Sequence, residues 1–159
     1  MTKQIVKKKT INKEIEKTQK KKLSIQFSLD GFSFYISNSH NIISKFTSFE
    51  FPKAIKSPVL ILKEIQEIFK NAKSLQQDFE FVNVNHQNNL SSLVPNQYFK
   101  DNDLNNYLKY SIKTITTDLI VYDDLNFIKA KNVYVPFVNI NNFIFQNFGE
   151  FEYKHHSSI

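Results

Sequence analysis

The 159-residue chain has no cysteine, no arginine and no tryptophan, and it has only two glycines, four prolines and one methionine. Without cysteine there is no disulfide, no thiolate nucleophile and no zinc–thiolate site, and redox usage gives no sign of compartment. Without arginine there is neither a bidentate phosphate fork nor an arginine finger. The two glycines, Gly31 and Gly149, are too few for a Walker loop or a dinucleotide fingerprint. No apolar run reaches transmembrane length and no hydrophobic h-region follows the early lysines, so a soluble, cytoplasmic protein is expected. Histidine is also scarce. His155 and His156 are neighbours on an expected strand and so face opposite ways, while His40 and His86 fall in polar turns with no partner suggested by spacing. No metal site, no Ser-His-Asp order and no cofactor are expected.

What is abundant is Lys, Asn, Ile and Phe, a bias that reads as an AT-rich bacterial genome. All 21 basic residues are lysines, and the formal charge is +6. Residues 1–22 hold nine lysines against two glutamates, so residues 23–159 carry about −1 and the expected folded part is not basic. The division is therefore a lysine-rich mobile tail over 1–22 and a single domain over 23–159. Weak binding of nucleic acid or an anionic surface would belong to the tail, not to a face of the fold.

The strongest pattern is Leu23 to Ser37. Leu23, Ile25, Phe27 and Leu29 alternate with Ser24, Gln26 and Ser28, and Phe32, Phe34 and Ile36 resume the alternation. Asp30-Gly31 predicts a two-residue type I′ hairpin turn, which sets Leu29 opposite Phe32, Phe27 opposite Phe34 and Ile25 opposite Ile36. Residues 42–51 read as a third strand of the meander, with a bulge where the alternation changes phase between Phe46 and Thr47. Ser57-Pro58 starts a helix whose stripe, Ile61, Ile65, Ile68, Phe69 and Ala72, is the cover for the hairpin. The predicted core is Phe27, Leu29, Phe34, Ile36, Ile65 and Phe69.

Phe79 to Asn85 follows after a connection long enough for a parallel crossover. Residues 86–97 are polar around Leu93-Val94-Pro95, and 101–115 read as a second helix through Leu104, Tyr107, Leu108 and Ile112. Leu119 to Tyr122 suggests a short buried strand and Asn132 to Val135 another. A third helix capped by Asn139 or Asn141 carries Ile140, Phe143 and Ile144 and stops at Gly149. Phe151 to His155 is the last strand. The sixteen Phe and seven Tyr fall mostly at core positions, which argues against base-stacking platforms.

A three-stranded meander, a helix, a crossover strand and further helix and strand pairs make an α/β fold, the plan of a ribonuclease H-like half: a mixed sheet opening with an antiparallel meander, with helices on its faces. LSIQFSLDGFSF at 23–34, LVP at 93–95 followed by Phe99, NVYVPFVNINNF at 132–143 and FGEFEYKH at 148–155 resemble an uncharacterised bacterial family known only as a domain of unknown function. That family is similar to the actin-like ATPases, nearest to the actin-like proteins of pilus assembly and type II secretion. The resemblance covers about residues 22–159. It implies a first half of two, so the chain is expected to be a fragment or a shortened member whose surface at Phe143, Ile144 and Phe151 meets a second half, another copy of the chain or a different protein.

The same resemblance makes the first turn a phosphate loop, carried over only onto Asp30 and Gly31, since Phe32, Ser33 and Phe34 follow where backbone must approach phosphate closely. Asp30, Glu80, Asp118, Asp123 and Asp124 are the carboxylates a two-metal nuclease would need, but Asp30 lies in a turn and Asp123-Asp124 read as the polar end of a strand. The expected role is a non-catalytic protein-interaction module. Half of a nucleotide-binding actin-like ATPase is the alternative, and surface binding through the lysine tail the second alternative.

Overall fold

The computed structural model of the chain describes residues 20–51, 57–110, 112–113 and 118–159. Nearly all of the lysine-rich segment, and Pro52, lie outside the described residues. β1 (Lys21–Phe27) and β2 (Gly31–Asn38) form the hairpin, and their period of two sends Leu23, Ile25, Phe27, Phe32, Phe34 and Ile36 to one face, each at most 3% exposed. β3 (Ile43–Glu50) adds antiparallel to β2. α1 (Pro58–Asn71) begins with proline in its first turn and buries Ile61, Ile65 and Phe69. β4 (Phe81–His86) then returns parallel to β1.

β5 (Ser91–Pro95), α2 (Leu104–Leu108), β6 (Val121–Leu125) and β7 (Ala130–Tyr134) follow. α3 (Val138–Phe148) buries Ile140 and Ile144 and is closed by Gly149 at φ 76°, a left-handed position suited to glycine. β8 (Glu152–His155) lies parallel to β4. The five-stranded sheet thus has the order β3-β2-β1-β4-β8, mixed, with an antiparallel meander at its start. α1 and α3 pack on one face, where Phe69 meets Phe143 at 5.0 Å between ring centroids.

Beside it lies a second sheet, three antiparallel strands in the order β5-β7-β6. Its core is small, Val94, Leu108, Val133 and Val135, closed by α2. At its rim the Lys131 ammonium sits 4.9 Å from the Tyr122 ring centroid and 5.4 Å from that of Phe99, and it pairs with Asp124.

Several expectations are corrected. The hairpin turn is centred on Leu29-Asp30, since the Ser28 N–H donates to the Gly31 carbonyl (2.9 Å) and Phe27 faces Phe32. Neither Asp30 nor Gly31 has positive φ. The pairing is displaced by two residues from the expected one, so every side chain keeps its face, and Leu29 is only half-buried at the core's edge. The third-strand bulge is at Ser44, because Ile36 faces Lys45 and Ser37 faces Ile43.

The second helix is one short turn of α-helix after a 3-10 turn at Asp101–Asp103. Of its expected later residues, 111 and 114–115 lie outside the described residues. Leu93-Val94-Pro95 belongs to a strand, and the segment from 121 is an exposed edge rather than a buried strand.

Gly31 has a use other than a turn dihedral: a Cβ there would stand 2.5 Å from the Phe49 carbonyl oxygen of β3. Gly31→Ala is therefore expected to push β3 off β2 and cost about 1–3 kcal/mol, the usual range for forced overpacking. Urea unfolding of the variant measures it, and an unchanged midpoint would contradict the close approach.

Candidate functional site

In an open α/β sheet, ligands bind at the carboxyl ends of the parallel strands. Here Phe27, His86 and His155 stand in register at those ends of β1, β4 and β8. His86 and His155 are both fully buried. The His86 Nδ1 accepts the N–H of Phe137 at the entry to α3 (3.2 Å), so its hydrogen is on Nε2 and is donated to Asn141 Oδ1 (2.9 Å). The Phe27 ring packs edge-on against it at 4.7 Å. Burial pushes the His86 pKa down to about 4, with the neighbouring His155 adding to the effect against the Asn141 bond, so the ring is neutral.

His155 is arranged alike. Its Nδ1 accepts from Ser157 N–H and from Asn132 Nδ2, each at 3.2 Å, so Nε2–H donates to the Asn88 carbonyl at 2.9 Å. Burial lowers its pKa too. Asp123 of β6 accepts the His155 backbone N–H (2.9 Å) and the Tyr134 hydroxyl (3.2 Å), and burial beside that carboxylate raises the Tyr134 pKa. Asn88 completes the joint: its amide donates to Val135 O (3.2 Å) while its Oδ1 accepts the Leu90 N–H (2.8 Å). The network therefore bolts β7 and β6 of the small sheet to β4, β8 and α3 of the large one. All four imidazole nitrogens are engaged by protein groups, which leaves no lone pair for a metal and no proton in contact with a substrate.

The first turn is similarly committed. The Asp30 and Gly31 N–H groups both donate to Ser28 Oγ, at 3.1 and 3.2 Å, and Asp30 is exposed. The other carboxylates are dispersed: Glu80 pairs with Lys20, Asp123 serves the joint, Asp124 pairs with Lys131, and Asp118 precedes β6. No group of three or more His, Asp or Glu among the described residues could hold a metal ion. Of the three expected interface residues, Ile144 is sealed in the core, whereas Phe143 and Phe151 are half-buried, packed on Phe69 and Tyr153. What is open is the other face of the large sheet. A cleft of about 620 Å³ there is lined by Ser24, Gln26, Tyr35, Phe46, Asn85 and Lys154, a polar floor with an aromatic wall that also carries the charged Glu152 and Lys154.

Sequence reasoning missed the histidine joint. His86 and His155 are far apart in the chain, and their pairing needs the β4–β8 register, which no local pattern carries. The local signal is slight: Asn132 and Asn141 interrupt the apolar run of residues 132–145, whereas Asn88 lies in a run of polar residues that nothing sets apart.

A family model described as protein of unknown function (DUF3822) matches residues 10–159. No curated protein matches the chain. Among solved structures, a Bacteroides thetaiotaomicron protein with an actin-like ATPase fold and unknown function is similar with a TM-score of 0.77 at 17% identity, over 90% of this chain and 55% of that one. The chain thus spans about half the length of that relative, and the likeness shows its fold to be actin-like. A gluconate kinase from Lactobacillus acidophilus matches with a TM-score of 0.36 at 12% identity, over 50% of this chain and 18% of that one, too little to carry an argument. No helix of the described residues is long and apolar enough to cross a membrane.

The joint makes stability depend on acid. His86 is neutral in the fold down to about pH 4 but protonates near 6.5 when unfolded, so between those values the unfolded chain binds more protons. Stability is full above about pH 6.5 and falls as the pH drops towards 4, by about 3 kcal/mol from His86 alone, with His155 adding in the same direction. Urea midpoints measured at about pH 7 and about pH 4.5 are expected to differ accordingly. A midpoint unchanged across that window would show that the imidazoles are solvated.

Proposed function

The chain belongs to that family of proteins of unknown function, and we propose that it works as a non-catalytic, actin-fold interaction module. The observation that carries this reading is the state of the strand ends. Where an α/β sheet of this plan would open a ligand crevice, Phe27, His86 and His155 fill the space and the small sheet lies against it. The first turn supports the same reading, because its two N–H groups are spent on Ser28 Oγ instead of facing outward to a phosphate. What the fold leaves exposed among the described residues is contact surface: the polar cleft of the open sheet face and the apolar residues along β3.

One observation favours a second reading. The actin-like relative is nearly twice as long as the part matched, so this chain would be one half of a nucleotide-binding ATPase, with Asp30 and Gly31 contributing to a site completed elsewhere. Calorimetry with Mg-ATP separates the two. The interaction reading expects no saturable binding by the chain at about 1 mM ATP, and no phosphate release. Saturable Mg-ATP binding that Asp30→Ala weakens about tenfold or more would overturn it in favour of the second.

A further inference from the structure

β3 is the end strand of the five-stranded sheet, and eight residues long. Its pairing with β2 decides which of its backbone groups find no partner among the described residues. The Phe51 N–H donates inward to Asp30 O (2.8 Å), and Phe49 and Thr47 face Phe32 and Phe34, so by antiparallel alternation the N–H and C=O groups of Phe46, Ser48 and Glu50 point away from the sheet. Only an extended backbone matches that row of alternating donors and acceptors.

The side chains add to it. The bulge at Ser44 puts Ile43 and Phe46 on the same, open face although they are three residues apart, and Phe46 stands beside Tyr35 of β2. The three are 57%, 66% and 39% exposed, an apolar stripe at the edge of the sheet. Lys45 and Glu50 are the strand's only charged residues and are opposite in sign, so a second β3 is not repelled.

We propose that β3 pairs antiparallel with β3 of a second copy of this chain, extending the sheet across a two-fold axis. A free edge of this kind is its own complement: one pairing satisfies both edges and brings the two Ile43–Phe46–Tyr35 stripes together on one face. The inference names a partner for the interaction reading above and rests on it for its biological sense. The two fail separately, since nucleotide binding and strand pairing are read by different measurements. A pairing of this length buries on the order of 1,000 Å² or less, the small end of specific interfaces, so the dimer forms at roughly micromolar concentrations and above.

Analytical ultracentrifugation of the whole chain from about 1 to about 500 µM is the test, with Ser48→Pro and Phe46→Lys as variants. Ser48 donates outward, so proline there removes a free edge N–H and leaves the β2 ladder intact. The expected result is a dimer fraction that rises with concentration in the wild type and falls at least tenfold in association constant in both variants. Hydrogen exchange at the Phe46 and Ser48 amides should slow with concentration, which decides the matter should either variant fold poorly. A wild-type chain that stays monomeric overturns the proposal. So does a dimer that survives in a folded Ser48→Pro variant, or one whose Phe46 and Ser48 amides exchange as fast as in the monomer.

Discussion

A buried imidazole is tolerated only when both of its nitrogens find partners and it stays neutral, because an unsatisfied or charged ring in the interior costs several times what one good hydrogen bond returns. Two such rings stand side by side here at the ends of β4 and β8. Each solves the requirement in the same way: Nδ1 accepts a backbone N–H, and Nε2–H donates to a side-chain or main-chain oxygen. The backbone groups so engaged are those of Phe137 at the entry to α3 and Ser157 near the chain's last residue. Neutrality of the rings therefore fixes where α3 begins, where β8 ends and how the small sheet sits. His86 and His155 stand where the two cores meet, beside Leu90, which packs on both.

That joint also decides which surfaces are left for function. Parallel strands are ordinarily covered on both faces. In this fold α1 and α3 cover one face, and the small sheet closes the carboxyl ends. The remaining face stays open and is written accordingly, in Ser24, Gln26, Ser33, Asn83 and Asn85, with hydrogen bonds running from Asn85 to Gln26 and from Gln26 to Gln87. Polar residues let the face stand in water, while Tyr35 and Phe46 along its edge give a partner something apolar to cover. The interaction reading proposed above places contact on this face and its edge, not at the end of the sheet where the fold plan would put a ligand.

The hairpin shows what alternation can and cannot disclose. Parity assigns a face, so Phe27, Phe34 and Ile36 were legible as core; a displacement of two residues keeps parity, so the register and the turn were not. Asp30-Gly31 suggests a turn in sequence because glycine commonly supplies a turn dihedral, whereas in the fold Gly31 lets the Phe49 carbonyl approach. The parallel crossover to β4, the stop at Gly149 and the amphipathic α1 were legible for the reason that each is local or set by length. The second sheet was not, since β5 is five residues with polar flanks and β6 is an edge with alternating exposure, and nothing local distinguishes joining one sheet from joining another.

The blocks of sequence that carry the family resemblance bear on function through where they fall. Residues 132–143 supply Asn132, Tyr134, Val135, Phe137 and Asn141, and residues 148–155 supply Tyr153 and His155; together they furnish most of the joint. The first block, 23–34, supplies the core face of the hairpin and the Phe27 ring that packs on His86. What is recognisable in this chain is thus the set of residues that must fit one another at the meeting of two sheets. At the first turn Phe32 follows directly after Gly31 and the Asp30 and Gly31 N–H groups donate to Ser28 Oγ, which supports the proposed interaction reading. The resemblance and the geometry therefore draw on the same residues, and those residues are occupied with holding the fold together.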